Sequence, residues 1–374
     1  MRILVVADDI TGAAEMAGIA HSMGCRVAFA TSPDCLTDEA DVTVIATDTR
    51  SMSRSAALDV TRKVVTALRT AQKPLRLFKK TDSALRGHIV AELRGLMDLG
   101  YDRALLLAAN PSKGRCIDEG IYTIGGTPID QTTFRTDPEF PALTARAVEL
   151  VGGDAHYATD PAIPLRLGIS IGESRTTKEV ARWVAAADEG VLLAGAADAF
   201  ESLLRHEGYC ATERPVFEGL AARRTLIVLG STVRHDLSEE PFFMRNRVGI
   251  APMPDTVFAG GEPTVWIEEA DRSFASNESL LLRIPQAVEV DGGRALHLRR
   301  AMAVTAAAMV EKHHPMELVI EGGASAYALL EQLDWHTFTV TNEIAAGVVR
   351  LHHPESGTHL TFKPGSYAWG AMFS

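Results

Sequence analysis

A chain of 374 residues exceeds the roughly 250–300 residues at which a single hydrophobic core stops growing, so two domains are expected. Apolar residues at 46% and charged residues at 23% are ordinary for a globular protein, and a net charge of −11 argues against a nucleic-acid or anionic-membrane binder, whose affinity comes from lysine and arginine. Any anionic ligand must therefore be met by a local cluster of cations.

The chain opens MRILVVADD, an apolar run that reads as a strand from its start, so no signal peptide is expected. No apolar run is long enough to suggest a membrane-spanning helix. The four cysteines, Cys25, Cys35, Cys116 and Cys210, lack CxxC spacing, which suits a reducing, cytoplasmic setting. The histidine pairs His313-His314 and His352-His353 match neither HExxH nor an i, i+4 ligand pattern. They are expected at the surface, and no metal ligand set is read from them.

In chain order, the strand Ile3 to Ala7 is followed by Asp8-Asp9 and a small-residue helix, TGAAEMAGIAHSMG. Strands follow at Arg26 to Ala30 and Val42 to Ala46, the latter ending in Thr47-Asp48-Thr49-Arg50. A helix spans about Arg54 to Thr70, with apolar residues near the helical period. The run Leu75 to Phe78 then meets KKTDSALRG, Lys79 to Gly87, after which a helix is expected from just past Thr81 through Ile89, Leu93 and Leu96. Ala104 to Ala109 leads into Asn110 to Arg115. Strand and helix alternating at this spacing imply βαβ units and a largely parallel sheet.

From Ile121 to about Ala162, prolines interrupt the pattern, which reads as connecting or lid-like structure. Alternation resumes at Leu167 to Ile171, Thr177 to Ala187 and Val191 to Ala194. Gly208 to Arg223 reads as the domain link, giving a first domain over 1–215 and a second over 216–374. The second opens with Thr225 to Leu229 and Gly230-Ser231-Thr232. It continues through a long helix, Ala295 to Lys312, and the strand Leu318 to Ile320 entering Glu321-Gly322-Gly323-Ala324-Ser325. Strands Gly347 to Leu351 and His359 to Phe362 close it, before Lys363-Pro364-Gly365-Ser366. The expected class is α/β, two domains each with a largely parallel sheet flanked by helices, and an active site in the cleft between them.

Candidate chemistry gathers at the strand ends, where α/β sheets hold ligands. Asp8 and Asp9 occupy the place of a dinucleotide-binding glycine turn and would repel a pyrophosphate. A carboxylate pair there suits hydroxyl ligands or a general base; the plainer alternative is that Asp9 or Thr11 caps the helix and Asp8 is solvated. Arg50, Lys79, Lys80, Arg86, Lys113 and Arg115 pool cations at further strand ends, which suggests a small anionic substrate. In the second half, Gly322, Gly323, Ala324 and Ser325 between strand and helix put backbone amides where an anion could sit. A nucleophile elbow on Ser325 and a simple capped turn are the rivals. Ser231 and the Lys363–Gly365 loop repeat the phosphate logic, and no GxxxxGK[ST] loop is present. An acid-and-cation pocket beside a phosphate-binding domain suggests phosphoryl transfer, with Mg²⁺ neutralising the phosphates.

ADDITGA, Asp48-Thr49-Arg50, KKTDSALRG, Gly114-Arg115, GST, GGASA and KPGS, in this order, resemble the four-carbon acid sugar kinase family. Members of that family use ATP to phosphorylate the terminal hydroxyl of acids such as threonate, erythronate or 3-oxo-tetronate, and related members act on branched apionate-type acids. The resemblance implies a substrate-binding amino-terminal domain and a nucleotide-binding carboxyl-terminal one. It implies Asp9, Arg50, Lys80, Asp82, Ser83 and Arg86 at the acid sugar, and Ser231, Gly322, Gly323, Ala324, Ser325 and Gly365 at ATP. Together with the residue reading, Asp82 or Asp9 is the expected base. Asp8, Arg50, Lys79, Lys80, Ser83, Arg86 and Arg115 are the expected substrate contacts, and Lys363 joins the cofactor loop. ATP and Mg²⁺ are the implied cofactors; the expected partner is a small anionic sugar acid, without nucleic acid or membrane, and a homodimer is allowed. A non-catalytic acid-sugar sensor is the alternative from another class. The chain departs from the family at Tyr367-Ala368-Trp369-Gly370, where KPGxFG or KSGxFG is usual. It departs again at His88, where asparagine often follows the arginine–glycine pair, and it is somewhat short.

Overall fold

Ile3, Leu4, Val5 and Val6 are all buried, a continuous apolar run of the kind that a parallel strand needs when helices cover both of its faces. The computed structural model describes every residue except 1, 36–38, 71–74, 138, 153, 214–216, 221–223, 231–236, 238, 286–291, 364–368 and 374. The chain divides into two compact units, Met1–Thr212 and Glu213–Ser374.

The first unit begins β1 (Arg2–Ala7), α1 (Ile10–Ser22), β2 (Val27–Ala30), β3 (Val42–Ala46) and α2 (Arg54–Thr70). It continues with β4 (Leu75–Lys80), α3 (Ile89–Met97) and β5 (Arg103–Leu107). After β6 (Arg115–Asp118), the stretch expected to be connecting or lid-like opens with β7 (Ile121–Ile124) and β8 (Thr127–Pro128), which form a small antiparallel sheet with β6. The unit ends with α4 (Ala147–Val151), β9 (Ala155–Ala158), β10 (Gly168–Gly172), α5 (Thr177–Ala186), β11 (Val191–Gly195) and α6 (Ala197–His206). Its main sheet runs β2-β3-β1-β4-β11-β5-β10-β9, parallel throughout. From β1 the chain builds outward to β2 and β3 on one side, then crosses to β4 on the other. The gap between the carboxyl ends of β1 and β4 is thus a topological switch point, where such sheets open a crevice. The small residues of α1 (Gly12, Ala13, Ala14, Ala17) are buried and let its backbone lie close to the sheet.

The second unit contains β12 (Thr225–Leu229), α7 (Pro241–Arg245), β13 (Val248–Pro252), α8 (Asp255–Phe258), α9 (Thr264–Ser276) and β14 (Ser279–Arg283). Then come α10 (Gly292–His313), β15 (Glu317–Glu321), α11 (Gly323–Leu333), β16 (Thr337–Ala345), β17 (Val348–His352) and β18 (His359–Lys363). The order β13-β14-β12-β15-β18 is parallel, and β17 and β16 continue it antiparallel.

Two expectations are corrected here. His313 and His353 are not surface residues: His313 is buried and meets Asp271 at 2.9 Å, and His353 stacks on Trp335 with ring centroids 4.3 Å apart. An imidazole has an apolar face as well as polar edges, and here each ring packs against an aromatic neighbour, His313 against Phe274 and His353 against Trp335. The helix after KKTDSALRG begins only at Ile89, because the residues before it are tied into a loop by Asp82.

Candidate functional site

Asp8 and Asp9 leave the end of β1, Arg50 lies beyond the end of β3, and Lys80 ends β4, so three neighbouring strands deliver charge to one edge. Backbone bonds lock the loops together: the Thr47 amide donates to the Ala7 carbonyl at 2.9 Å and the Arg50 amide to the Asp8 carbonyl at 3.0 Å. The Arg50 guanidinium spans the β1 carboxylates. Its Nε lies 2.8 Å from Asp8 Oδ2, and its Nη2 lies 3.1 Å from Asp8 Oδ1 and 2.7 Å from Asp9 Oδ1. Its Nη1 stands 3.6 Å from Asp82 Oδ1. Burial alone would raise the Asp8 carboxyl, but Arg50, Lys79 and Lys80 outweigh it and hold Asp8 ionised below the usual range. Asp8 is 2% exposed, so it is not the solvated residue of the plainer reading, whereas Asp9 does cap α1 through the Gly12 amide at 3.0 Å.

The Thr81–His88 loop is built around Asp82. Its Oδ2 accepts from the Ala84 amide at 2.9 Å and the Arg86 amide at 3.3 Å, and both its oxygens take the Arg86 fork, from Nε and Nη2, at 2.9 Å. Burial opposes the charge, yet the Arg86 bonds and the Arg50 field keep the Asp82 carboxyl well below the usual carboxylate range. Gly87 sits at φ +95°, and a Cβ there would stand 3.1 Å from Asp8 Oδ2, so this position needs glycine on both counts. Arg86 also reaches Asp137 at 3.3 Å. Arg86 and Arg115 each lie 5.6 Å from the Phe134 ring, which holds both guanidinium planes. Arg115 donates to the Ser83 hydroxyl, and the Tyr122 hydroxyl donates to the Ser83 carbonyl.

The lysines are more enclosed than their sequence positions suggest. Lys79 is 1% exposed, with Nζ 3.3 Å from Glu92 on α3 and 3.1 Å from the Lys80 carbonyl. Lys80 bonds the Thr81 carbonyl at 3.0 Å and faces Glu15 of α1 at 3.5 Å, while Lys113 takes the other Glu15 oxygen at 2.6 Å. Sequence reasoning missed Glu15, Glu92, Asp137, Tyr122 and Phe134. Glu15 carried a signal, lying one helical turn past Thr11 in α1. The others required the strand order. Asp198 at the start of α6 was also missed; it accepts from the Ser112 amide at 2.8 Å and so fixes the loop after β5.

In the second unit, Glu321 ends β15, and Gly322 precedes α11 with no side-chain cap, leaving the first-turn amides to Gly323, Ala324 and Ser325. Gly230, at the end of β12, packs against this turn: a Cβ there would fall 2.2 Å from Ser325 Oγ. Ser325 lies inside α11 rather than on the turn before it, unlike the serine of a nucleophile elbow. Lys363 at the end of β18 is fully buried, with Nζ 2.7 Å from Glu321 Oε1 and 4.4 Å from the Trp369 ring centroid. The Gly322 amide donates to the Lys363 carbonyl at 2.9 Å, so β15 and β18 present one continuous edge. The expected contacts Ser231 and Gly365 lie outside the described residues. Among the described residues no group of three or more acidic, histidine or cysteine side chains is placed to hold a metal, and no helix is long and apolar enough to cross a membrane.

A doubly wound parallel sheet with charge of both signs at its switch point is the frame of an α/β protein that binds a small ligand. Residues 3–199 match the family described as the sugar-binding N-terminal domain, and the chain belongs to that family, the four-carbon acid sugar kinases that its motifs resemble. It is 27% identical over 371 residues to a D-threonate kinase of Bordetella bronchiseptica, covering 92% of this chain and 88% of that one. It is 25% identical over 419 residues to a 3-oxo-tetronate kinase of Methylobacterium radiotolerans, covering 98% and 96%. A crystal structure of a Haemophilus influenzae protein shares the fold with a TM-score of 0.73 at 17% identity, over 99% of this chain and 98% of its own.

Proposed function

We propose that the chain is an ATP-dependent kinase that phosphorylates the terminal hydroxyl of a small acid sugar, of the four-carbon aldonate or 3-oxo-tetronate type. The first unit would hold the acid and the second the nucleotide. The observation that carries this reading is the pairing of the cations. Arg50, Lys79, Lys80, Arg86 and Lys113 each meet a carboxylate of the chain within 4 Å, whereas Arg115, among the described residues, meets no carboxylate, its contacts being the Ser83 and Tyr122 hydroxyls and the Phe134 ring. Its fork is the one with charge to offer a substrate carboxylate. The kinase names of the relatives support the transfer.

Lys79 acts in this reading through Glu92 and the Lys80 carbonyl, as a support for the loop rather than as a substrate contact. Asp8 and Arg50 hold the two loops at the switch point. Asp9 serves as the general base, and Asp82 fixes Arg86. The amides of Gly323, Ala324 and Ser325 would face the phosphates, with the α11 dipole favouring their charge, and Lys363 braces that turn through Glu321. Ser231 and Gly365 remain proposed contacts by resemblance. Mg²⁺ usually binds through phosphates, waters and one or two carboxylates; it would come with the phosphates of ATP and neutralise charge on the transferred group.

The test is ADP release from ATP and Mg²⁺ over a panel of four- and five-carbon aldonic and oxo acids. Turnover is expected on at least one four-carbon acid. Arg115→Ala should raise the KM for that acid by about tenfold or more, with the KM for ATP unchanged, as loss of a charge-assisted fork implies. Acid binding without ADP release across the panel would instead make the chain a sensor.

A further inference from the structure

The adjacent histidines His352 and His353 take different neighbours. His353 stacks on Trp335, whereas His352, at the end of β17, meets His359, the first residue of β18. The antiparallel register pairs His352 with His359 directly, so both side chains leave the same face of the sheet. Their ring centroids lie 4.9 Å apart, with the planes at 52°. Both residues are half-buried, and among the described residues no protein group is hydrogen-bonded to either ring. We infer that His352 and His359 form a two-point site for a divalent transition metal of the zinc, nickel or copper kind.

The spacing fits the chemistry. Two imidazoles that share one tetrahedral zinc, with Zn–N of about 2.0–2.1 Å, have centroids roughly 5 Å apart, so the strands need not move to admit the ion. Imidazole nitrogen suits these metals, whereas Mg²⁺ and Ca²⁺ take oxygen ligands, so the site would not draw on the ion that accompanies ATP. Two protein ligands leave the other positions to water, which half-buried rings allow.

The surroundings are balanced in charge. Arg350 lies two residues before His352 on the same face, and Glu317 of β15 pairs in register with His359. The two are matched to each other, with Arg350 Nε 3.2 Å from Glu317 Oε2 and Nη2 donating to Oε1, so the cation beside the rings is already neutralised. The site also sits where a link has mechanical effect. The loop over 353–358 joins the two histidines, so a bound metal would close this hairpin at its base and stabilise the folded second unit by mass action. β18 runs from His359 to Lys363, the brace of the glycine turn.

Titration of the full chain with ZnCl₂, with Mg²⁺ present throughout, tests this by calorimetry and by imidazole nitrogen NMR. In wild type the ring signals of His352 and His359 should move together as Zn²⁺ is added and stay in place with Mg²⁺ alone. His352→Gln and His359→Gln should each raise the Kd for Zn²⁺ by about tenfold or more, because a chelate becomes a single ligand. His206→Gln, at an exposed histidine of α6, should bind Zn²⁺ as wild type does. Equal affinity in wild type and in both strand variants would overturn the site, as would an equal loss in His206→Gln. Movement of only one of the two ring signals in wild type would overturn it without recourse to any variant.

Discussion

Both oxygens of Asp82 are taken up by the Arg86 fork and one also by two backbone amides, so its carboxylate has little basicity to lend. Asp9 differs. Its Oδ1 accepts from Gly12 and Arg50, but its Oδ2, among the described residues, meets only the Thr11 hydroxyl, and its side chain is 16% exposed against 10% for Asp82. A group that must take a proton from a substrate hydroxyl needs a reachable lone pair, and Asp9 has one. Asn also caps a helix well, so Asp9→Asn should fold normally and lower kcat by about 10²–10⁴. Asp82→Asn should act chiefly on the KM for the acid, by loosening Arg86. Steady-state kinetics of the two variants check this, and a larger kcat loss in Asp82→Asn would reverse the assignment.

At the level of elements, the ends of β15 and β18 are joined by an ion pair with no solvent exposure on either side chain, Glu321 and Lys363. Removing one member of such a pair leaves a buried charge uncompensated, at a cost of about 3–5 kcal/mol. Glu321→Leu should therefore lower the denaturant midpoint of the second unit, and Lys363→Met in the same chain should restore much of it. Denaturation of the single and double variants measures the difference. The strands that carry the first unit's site were legible because β1, β3, β4 and β5 are mostly apolar runs, interrupted only by Thr43 in β3 and Arg76 in β4, that lead into polar punctuation. β13 and β14 were not read as strands. VGIAP holds a glycine and a proline, and SLLLR is an apolar run too short to separate from helix by period. The loop after β4 defeated helical reading for a different reason. Asp82 offers its own backbone a better set of bonds than a first helical turn would, and the positive φ of Leu85 and Gly87 follows from that. The cations of the site were visible in the sequence, but their partners Glu92 and Asp137 became visible only with the strand order, while Glu15 carried no more than a helical spacing from Thr11.

On the scale of the whole molecule, each unit has its own buried cluster, one around Leu4, Leu77, Leu93 and Leu106, another around Ile227, Phe242, Val319 and Phe373. Units with separate cores can unfold separately. Scanning calorimetry is expected to show two transitions, one raised by the acid substrate and the other by ADP, each by about 2.7 kcal/mol at a ligand concentration of 100 Kd. Equal movement of both transitions by either ligand would refute that division. The pairing of the cations also bears on how an acid would arrive. A chain of net charge −11 whose site lysines and arginines are almost all matched by its own carboxylates projects little attraction beyond a Debye length. Encounter with an anion would then gain no electrostatic steering and, against the net negative charge, would quicken as salt is added, and selection among acids would begin only on contact, in the fork of Arg115.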